Sequence, residues 1–450
     1  MAKYKNTKQI AKSAKKEISD SKLHRYLIAI PLIALTIKFI TMANIQAGAW
    51  YAADGENYIA GLDGLLRDGF FSTEGVLSYW PAGYPLLMWP IAIIAQPIFF
   101  YLISAIQSIF FAYATYFFTN KMAKSSLKNF AFWTSIIISF NPTLSLSSLA
   151  IGYEAPIAAC FMMIAGLIWA NANSSIDRKF WLTVAYVGGW FALATFMQPR
   201  FLLIAIIIAI MWALRVVGTK NRIRIVALVI SIMMVAPAIM IFRNVEVIDK
   251  ATISTNLGIT MRIGAGPETS GGYVRSGPEV PCEPKAPATT VTDNELVVCV
   301  LEWYLTNPID TVRLSINKAI LFWSPWDGPL SVNGTMARNP WLKISPVNKI
   351  TKSSVEGEKL VFGFFGNAIS WLWLVGQSLF LFFGYRSLGK LGANEKFFAQ
   401  VLIAPVLVSW LLALGTIGDH RFRVPTMSMS LALQLAAFLA IRKNLNDKVG

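Results

Sequence analysis

Between residues 51 and 85 the chain reads YAADGENYIAGLDGLLRDGFFSTEGVLSYWPAGYP, and it gathers there Asp54, Glu56, Asp63, Asp68 and Glu74 out of 24 acidic residues in all. A carboxylate beside a long apolar run can take a proton from an attacking hydroxyl. Asp54 comes first after that run and Glu56 second. The plainer reading is a solvated loop, or acids on the first turn of a short helix. Glu154 opens another apolar run after Asn141-Pro142, where an acid at a membrane boundary is costly enough to need a reason. Its plain alternative is a helix N-terminal carboxylate, stabilised by the macrodipole by about 0.3–1 kcal/mol. Opposite charge comes from Gly418-Asp419-His420-Arg421-Phe422-Arg423-Val424-Pro425. Arg421 and Arg423 read as lipid-headgroup anchors or as a bidentate clamp for a phosphate group. Arg200 after Gln198-Pro199 and Arg243 before Asn244 stand at the ends of apolar runs, and each alone reads as structural.

The elements that must carry these residues are helices in a membrane. Hydrophobic residues make up 55% and charged residues 14% of the chain, with 13% aromatic and a mean hydropathy of +0.53, far from a soluble globular balance. The net charge of +16 lies in short Lys/Arg clusters between apolar runs, the pattern of cytoplasmic loops. No soluble basic domain exists to bind nucleic acid, so that function class is excluded. Since about 20 apolar residues cross about 30 Å of hydrocarbon, ten spans are expected, near 25–45, 98–119, 130–149, 155–171, 180–198, 201–217, 225–242, 360–383, 397–417 and 424–441. The short apolar piece 84–96, with Pro85 and Pro90, is read as a juxtamembrane or re-entrant helix. Were it to cross, most basic clusters would land outside, against the positive-inside rule.

This expected architecture is an all-α polytopic membrane protein in five parts. They are a basic cytoplasmic tail (1–26), not a cleaved signal, and a transmembrane catalytic core (27–242) with an acidic first outer loop (45–97). An outer loop and helix domain (243–359), C-terminal spans (360–441) and a short cytoplasmic tail (442–450) follow. The plasma or inner membrane is the expected location, with both termini inside and the site outside. In the outer domain the first half, rich in Gly, Pro, Ser and Thr, reads as extended loop. The second half reads as two helices: Leu296, Val300, Trp303 and Tyr304 share one face, and after Asn307-Pro308 a second face carries Val312, Ile316, Ala319, Ile320 and Trp323. These helices are placed at the lipid interface. Cys282 and Cys299 fall in this outer segment and read as a disulfide rather than two free thiols, because an oxidising exterior preserves the bridge. With two histidines and three cysteines in the chain, no zinc-type cluster is available.

The order of these motifs resembles the GT-C superfamily of membrane glycosyltransferases, in particular the bacterial group related to the protein O-mannosyltransferases and the lipid A aminoarabinose transferase. Asp54-Gly55-Glu56 is similar to the family's first-loop acidic motif, in an Asp-x-Glu form. Tyr58, then Arg67-Asp68-Gly69 and Pro81-Ala82-Gly83-Tyr84-Pro85, resemble the acid, tyrosine, glycine and Pro-x-x-Tyr-Pro order. Asn141-Pro142 with Glu154 resembles the second acidic position, and Gln198-Pro199-Arg200 the arginine after the fifth span. Arg243-Asn244 with Ser254-Thr255-Asn256-Leu257-Gly258 resembles the entry to the outer domain. Asn307-Pro308 with Lys318, and Arg421-Phe422-Arg423-Val424-Pro425, resemble the elements that close a donor cavity. The departures are the spaced acids, where the protein O-mannosyltransferases have adjacent Asp-Glu, and the lack of room for their soluble outer repeats.

The resemblance implies transfer of a sugar from a polyprenyl-phosphate-linked donor to an external acceptor, whether glycolipid, glycan or protein, with membrane lipid around it. Asp54 would be the base or the acid that orients the acceptor, Glu56 and Glu154 further acids, and Tyr58, Tyr84, Arg200, Arg243, Lys318, His420, Arg421 and Arg423 the substrate-binding set. Arg421, Arg423 and Lys318 would meet the lipid phosphate. Metal dependence differs within the superfamily, and the Asp-x-Glu spacing leaves open a divalent cation, Mg or Mn, on Asp54 and Glu56. Two other readings use the same features: a transporter or flippase of lipid-linked sugars, and a polymerase or ligase of lipid-linked polysaccharide.

Overall fold

The computed structural model describes residues 20–43, 54–124, 127–172, 174–267, 269–272, 280–282, 292–323 and 364–449. Regular structure among them is helical throughout, and the chain is an all-α membrane protein. α1 (Asp20–Ala43) precedes the helices of the acidic loop: α2 (Gly55–Asp68), the single turn α3 (Val76–Tyr79) and α4 (Gly83–Ala95). Then come α5 (Phe99–Ala123), α6 (Lys128–Phe140), the short α7 (Pro142–Leu146) and α8 (Glu154–Ala170). α9 (Arg178–Met197), α10 (Leu202–Arg215), α11 (Thr219–Met233) and α12 (Val235–Ile248) complete the first part. The segment expected to lie outside supplies α13 (Leu257–Ile263), α14 (Asp293–Thr306) and α15 (Pro308–Trp323). The chain ends in α16 (Phe364–Gly389), α17 (Ala393–Gly415) and α18 (Met427–Val449).

The described residues of the ten expected apolar runs lie mostly in helices. Among the described residues, six helical stretches are long and apolar enough to cross a membrane: Ser21–Ala43, Gly83–Ala123, Arg178–Met197, Thr219–Ile248, Ala393–Gly415 and His420–Arg442. Two details differ from the simple run count. Run 130–149 is divided at Asn141, whose side chain accepts a hydrogen bond from Leu144 N at 2.9 Å and so caps α7; Pro142 at the first helical position lacks the N–H that a continuing helix would need. The 84–96 piece is α4, and it passes through a tight turn at Gln96–Ile98 directly into α5. α4 lies against α2, α5 and α9. Its start demands glycine: a Cβ on Gly83 would stand 1.7 Å from the Phe196 carbonyl oxygen.

The core sits around α8. Fifteen of its 17 residues are buried, apolar on every side after Glu154, which is the signature of a central helix. Alanines and Gly166 let α5 close on it; a Cβ on Gly166 would meet the Phe117 ring at 3.0 Å. α8 also touches α9, α17, α18 and the turn His420–Thr426. Chain direction then sorts the ends of the bundle. Basic connections such as Lys121–Lys128 and Arg215–Lys220 fall at one end, where Arg215 reaches Asn394 at 2.9 Å. Asp54, Glu154, Arg200 and Arg421 lie at the other.

In the outer segment, Cys282 and Cys299 form a disulfide. Leu296 and Val300 are buried, as their shared face predicts. α15 differs from its expected face. Leu314, Lys318, Ala319, Phe322 and Trp323 are buried while Val312 and Ile316 are exposed. Lys318, which the apolar face did not include, turns inward toward partners on α14 and α17. The residues up to 19, the stretch 44–53 and all of 324–363 lie outside the described residues.

Candidate functional site

The centre of the site is one guanidinium shared by two carboxylates from distant parts of the chain. Arg421 donates through Nη2 to Asp54 Oδ2 and through Nε to Glu154 Oε1, the latter at 2.6 Å. Side-chain exposure is 9% for Arg421, 15% for Asp54 and 2% for Glu154. Such burial requires pairing, since an isolated charge would pay several kcal/mol in desolvation. The plain reading of Asp54 as a helix cap does not describe its side chain: it precedes α2 but makes no capping hydrogen bond. Glu154 is the first residue of α8, so the helix dipole adds to what Arg421 supplies.

Local structure explains why the three meet. The strap Ser147–Gly152 is laid across α5 by Ser104 Oγ to Leu149 O at 2.7 Å, Gln107 Nε2 to Ala150 O at 3.3 Å and Ser108 Oγ to Ser148 O at 3.4 Å. Tyr84 locks the strap's end, accepting from Gly152 N at 3.0 Å and donating to Gln107 Oε1 at 3.2 Å. Tyr84 therefore contributes by fixing the backbone just before Tyr153 and Glu154. Tyr58, one turn into α2, packs edge-on against Tyr84 and Tyr153 at 5.1 and 6.2 Å between centroids. Burial, and then the Asp54 charge, push the Tyr58 phenol well above its ordinary range, so it keeps its proton.

On the opposite side, Asp419 accepts from Arg421 N at 2.8 Å and pairs with His420 Nδ1 at 3.1 Å. Burial opposes ionisation there, but His420 and then Arg421 hold the Asp419 carboxyl well below the usual range.

Sequence reasoning passed over Tyr153, which proves central. Its hydroxyl is 3.3 Å from Arg421 Nη2 and 3.4 Å from Arg200 Nη2. A tyrosine in an aromatic-rich chain carries no signal of its own; its position next to Glu154 at a helix start is the one clue. Arg200 is held by rings, with its guanidinium carbon 4.1 Å from the Phe422 centroid and 5.1 Å from that of Phe201. Among the described residues its hydrogen bond to Tyr153 is the one it makes, and no carboxylate pairs with it. Arg200 is half-buried. It thus presents unused N–H groups beside a site whose own acids are already paired.

Other members of the expected set lie apart. Glu56 is exposed on the first turn of α2. Arg243, wholly buried, donates to Phe70 O at 3.1 Å, Leu77 O at 3.2 Å, Ser78 Oγ at 3.2 Å and to Ser72 O, pinning the second half of the acidic loop. Arg423 donates to Trp323 O at 3.1 Å. Lys318 Nζ donates to Tyr304 Oη at 2.8 Å and Leu414 O at 3.3 Å. Burial pushes the Lys318 ammonium down to about 7 and the Tyr304 phenol up to about 12.

Among the described residues no three His, Cys, Asp or Glu side chains converge as ligands for a metal ion. Asp54 and Glu154 share the Arg421 guanidinium, while Glu56 is exposed. No step below passes through a metal ion.

No protein-family model and no curated protein matches the chain. Among solved structures, the chain is similar to the archaeal oligosaccharyltransferase AglB from Archaeoglobus fulgidus, in complex with an inhibitory peptide and a dolichol-phosphate. The TM-score is 0.46 at 13% identity, covering 93% of this chain and 51% of that one. The chain spans about half the length of that enzyme, and a likeness at this level carries no argument about chemistry.

Proposed function

We propose that the protein is a membrane glycosyltransferase that moves a sugar from a polyprenyl-phosphate-linked donor to an acceptor at the site end of the bundle. The observation that carries this reading is the convergence of Asp54 and Glu154 on Arg421, next to Arg200 with its donors unused, at the ends of membrane helices. Acids that hold an acceptor and a cation that meets a phosphate are the two requirements of such a transfer.

The reaction is an inverting single displacement. The acceptor oxygen forms a bond to the anomeric carbon and loses its proton to Asp54. The bond from that carbon to the phosphate oxygen breaks, and its electron pair leaves with the lipid phosphate. Arg200 offsets the charge growing on the phosphate, a term of the kind that dominates such chemistry. Arg421 bridges both acids and fixes their separation. Glu154 orients the acceptor together with the Tyr58 and Tyr153 hydroxyls.

The test is transfer from a polyprenyl-phosphate-linked sugar in membranes by the Asp54→Asn variant, which keeps the shape of the site. Turnover falls by about 10²–10⁴-fold, the usual contribution of a positioned base; wild-type turnover would remove Asp54 from the mechanism. A second reading, movement of lipid-linked sugar across the membrane, has one observation in its favour. Lys38 of α1 is 2% exposed with its ammonium 4.4 Å from the Phe111 centroid, and ionisable groups inside spans often mark a translocation path. Transbilayer movement of the donor without sugar transfer in vesicles would favour it.

A further inference from the structure

The arginine at the centre of the site arrives on the turn Thr416–Asp419, and that turn is gripped from the outer segment. α17 ends at Gly415, so its last carbonyls lack partners within the helix. Two of them are satisfied in trans: Leu414 O accepts from Lys318 Nζ at 3.3 Å, and Gly415 O accepts from Tyr304 Oη at 3.3 Å. Lys318 also donates to that phenol at 2.8 Å. The ammonium, the phenol and the two carbonyls form one connected network, and the cation lies at the negative end of the α17 dipole. Beyond it, Gly418 N donates to Gly271 O at 2.8 Å. A Cβ on Gly418 would stand 2.5 Å from the Lys318 Cα, so the turn lies directly on the α15 backbone. Asp419 and Arg421 follow immediately.

We propose that Lys318 and Tyr304 are positioning residues: by capping α17 from outside, they set the turn that holds Arg421 between Asp54 and Glu154, and through it the outer segment governs turnover. A lysine with 0% exposure is an expensive way to fill space, and a leucine or methionine would pack as well. What the lysine adds is a donor that reaches Leu414 O and Tyr304 at once, so that α15, α14 and α17 move together. α14 is itself fastened by Cys299, five residues before Tyr304. This role rests on the reading of Arg421 as organiser of the acid pair. It assigns Lys318 no contact with the donor phosphate.

The experiment uses the full chain in lipid nanodiscs and the variants Lys318→Met, Tyr304→Phe and Lys318→Arg. Amide hydrogen exchange over 415–426 is measured first, because it needs no substrate and stands whether or not the protein transfers sugar. Faster exchange there in Lys318→Met and Tyr304→Phe, with that of α8 unchanged, is expected; unchanged exchange at 415–426 would overturn the proposal. Transfer from a polyprenyl-phosphate-linked sugar is then followed as kcat and donor KM. Lys318→Met lowers kcat by about tenfold with donor KM little moved, the effect of a displaced catalytic geometry, and Lys318→Arg restores part of it. In an Arg421→Lys background the Lys318→Met loss shrinks, since both act on one network. A raised donor KM with an unshrunken loss would make Lys318 a phosphate contact and overturn the proposal. If none of the chains transfers sugar, the glycosyltransferase reading fails while the exchange result still decides the clasp.

Discussion

Arg243 and Arg421 are both enclosed in protein at the same end of the bundle, yet their surroundings are unlike. Around Arg243 the partners are Phe70, Ser72 and Leu77 carbonyls and the Ser78 and Asn244 side chains. These are neutral acceptors that a charged fork binds well and that do no proton chemistry. Around Arg421 the partners are two carboxylates and a phenol, each able to exchange a proton or hold a hydroxyl. The identity of the acceptors thus tells a clamp on a loop from the centre of a site. Burial alone would have given both arginines the same role.

The widest contrast comes from deleting each side chain. Arg421→Ala removes the guanidinium that Asp54 and Glu154 share and so undoes the arrangement of the acid pair. Transfer per folded molecule falls by about 10²–10⁴-fold, the size of a lost acid–base contribution. Arg243→Met strands several buried carbonyls and lowers thermal stability by an amount equivalent to about 3–5 kcal/mol. Turnover per folded molecule stays within about twofold of wild type, the sites being separate. Thermal unfolding in detergent, run beside a transfer assay, reads both, and equal behaviour of the two variants would dissolve the distinction.

A finer contrast sets Arg421 against Arg200. Arg200→Gln raises the donor KM by about tenfold, the worth of one charge-assisted hydrogen bond, with acceptor KM unchanged; a larger effect on acceptor than on donor would move the phosphate elsewhere. The smallest effect concerns pH. The Lys318 ammonium has its ordinary value of 10.5 lowered to about 7 in the folded protein, so between those values the unfolded chain binds the extra proton. Stability therefore rises as pH climbs from about 7 toward 10.5, and is lowest below about 7, where the native state carries the buried charge in full. Thermal unfolding across this range checks it, the slope being shallower in Lys318→Met.

The helical plan was legible because hydrocarbon thickness makes each span a run of apolar residues, and among the described residues six helical stretches are long and apolar enough to be one. The residues at the centre were legible for a related reason. In a chain this apolar, Asp54, Glu154 and Arg421 at the ends of runs stand out as groups that need partners. What those partners would be was not legible. Tyr153 and Tyr304 look like any interfacial aromatic, and the expected face of α15 named Val312 and Ile316 but not Lys318, because periodicity assumes that apolar side chains turn inward. Near lipid the assumption fails: Val312 and Ile316 are exposed, while the lysine is drawn in by carbonyls of another helix. Interactions between segments some hundred residues apart leave no trace in local spacing.

The modest length of α8 has a consequence for who can reach Glu154. At about 1.5 Å per residue, its 17 residues extend about 26 Å, less than the roughly 30 Å of hydrocarbon in a bilayer. With its far end at one boundary of the membrane, the acid at its start lies recessed below the other. A molecule dissolved in the bilayer comes upon that recess from the side, at its own depth. One arriving from water must lower a narrow, extended end into it, so under the glycosyltransferase proposal an acceptor from water would be selected by the slenderness of the part it presents before any hydrogen bond is made.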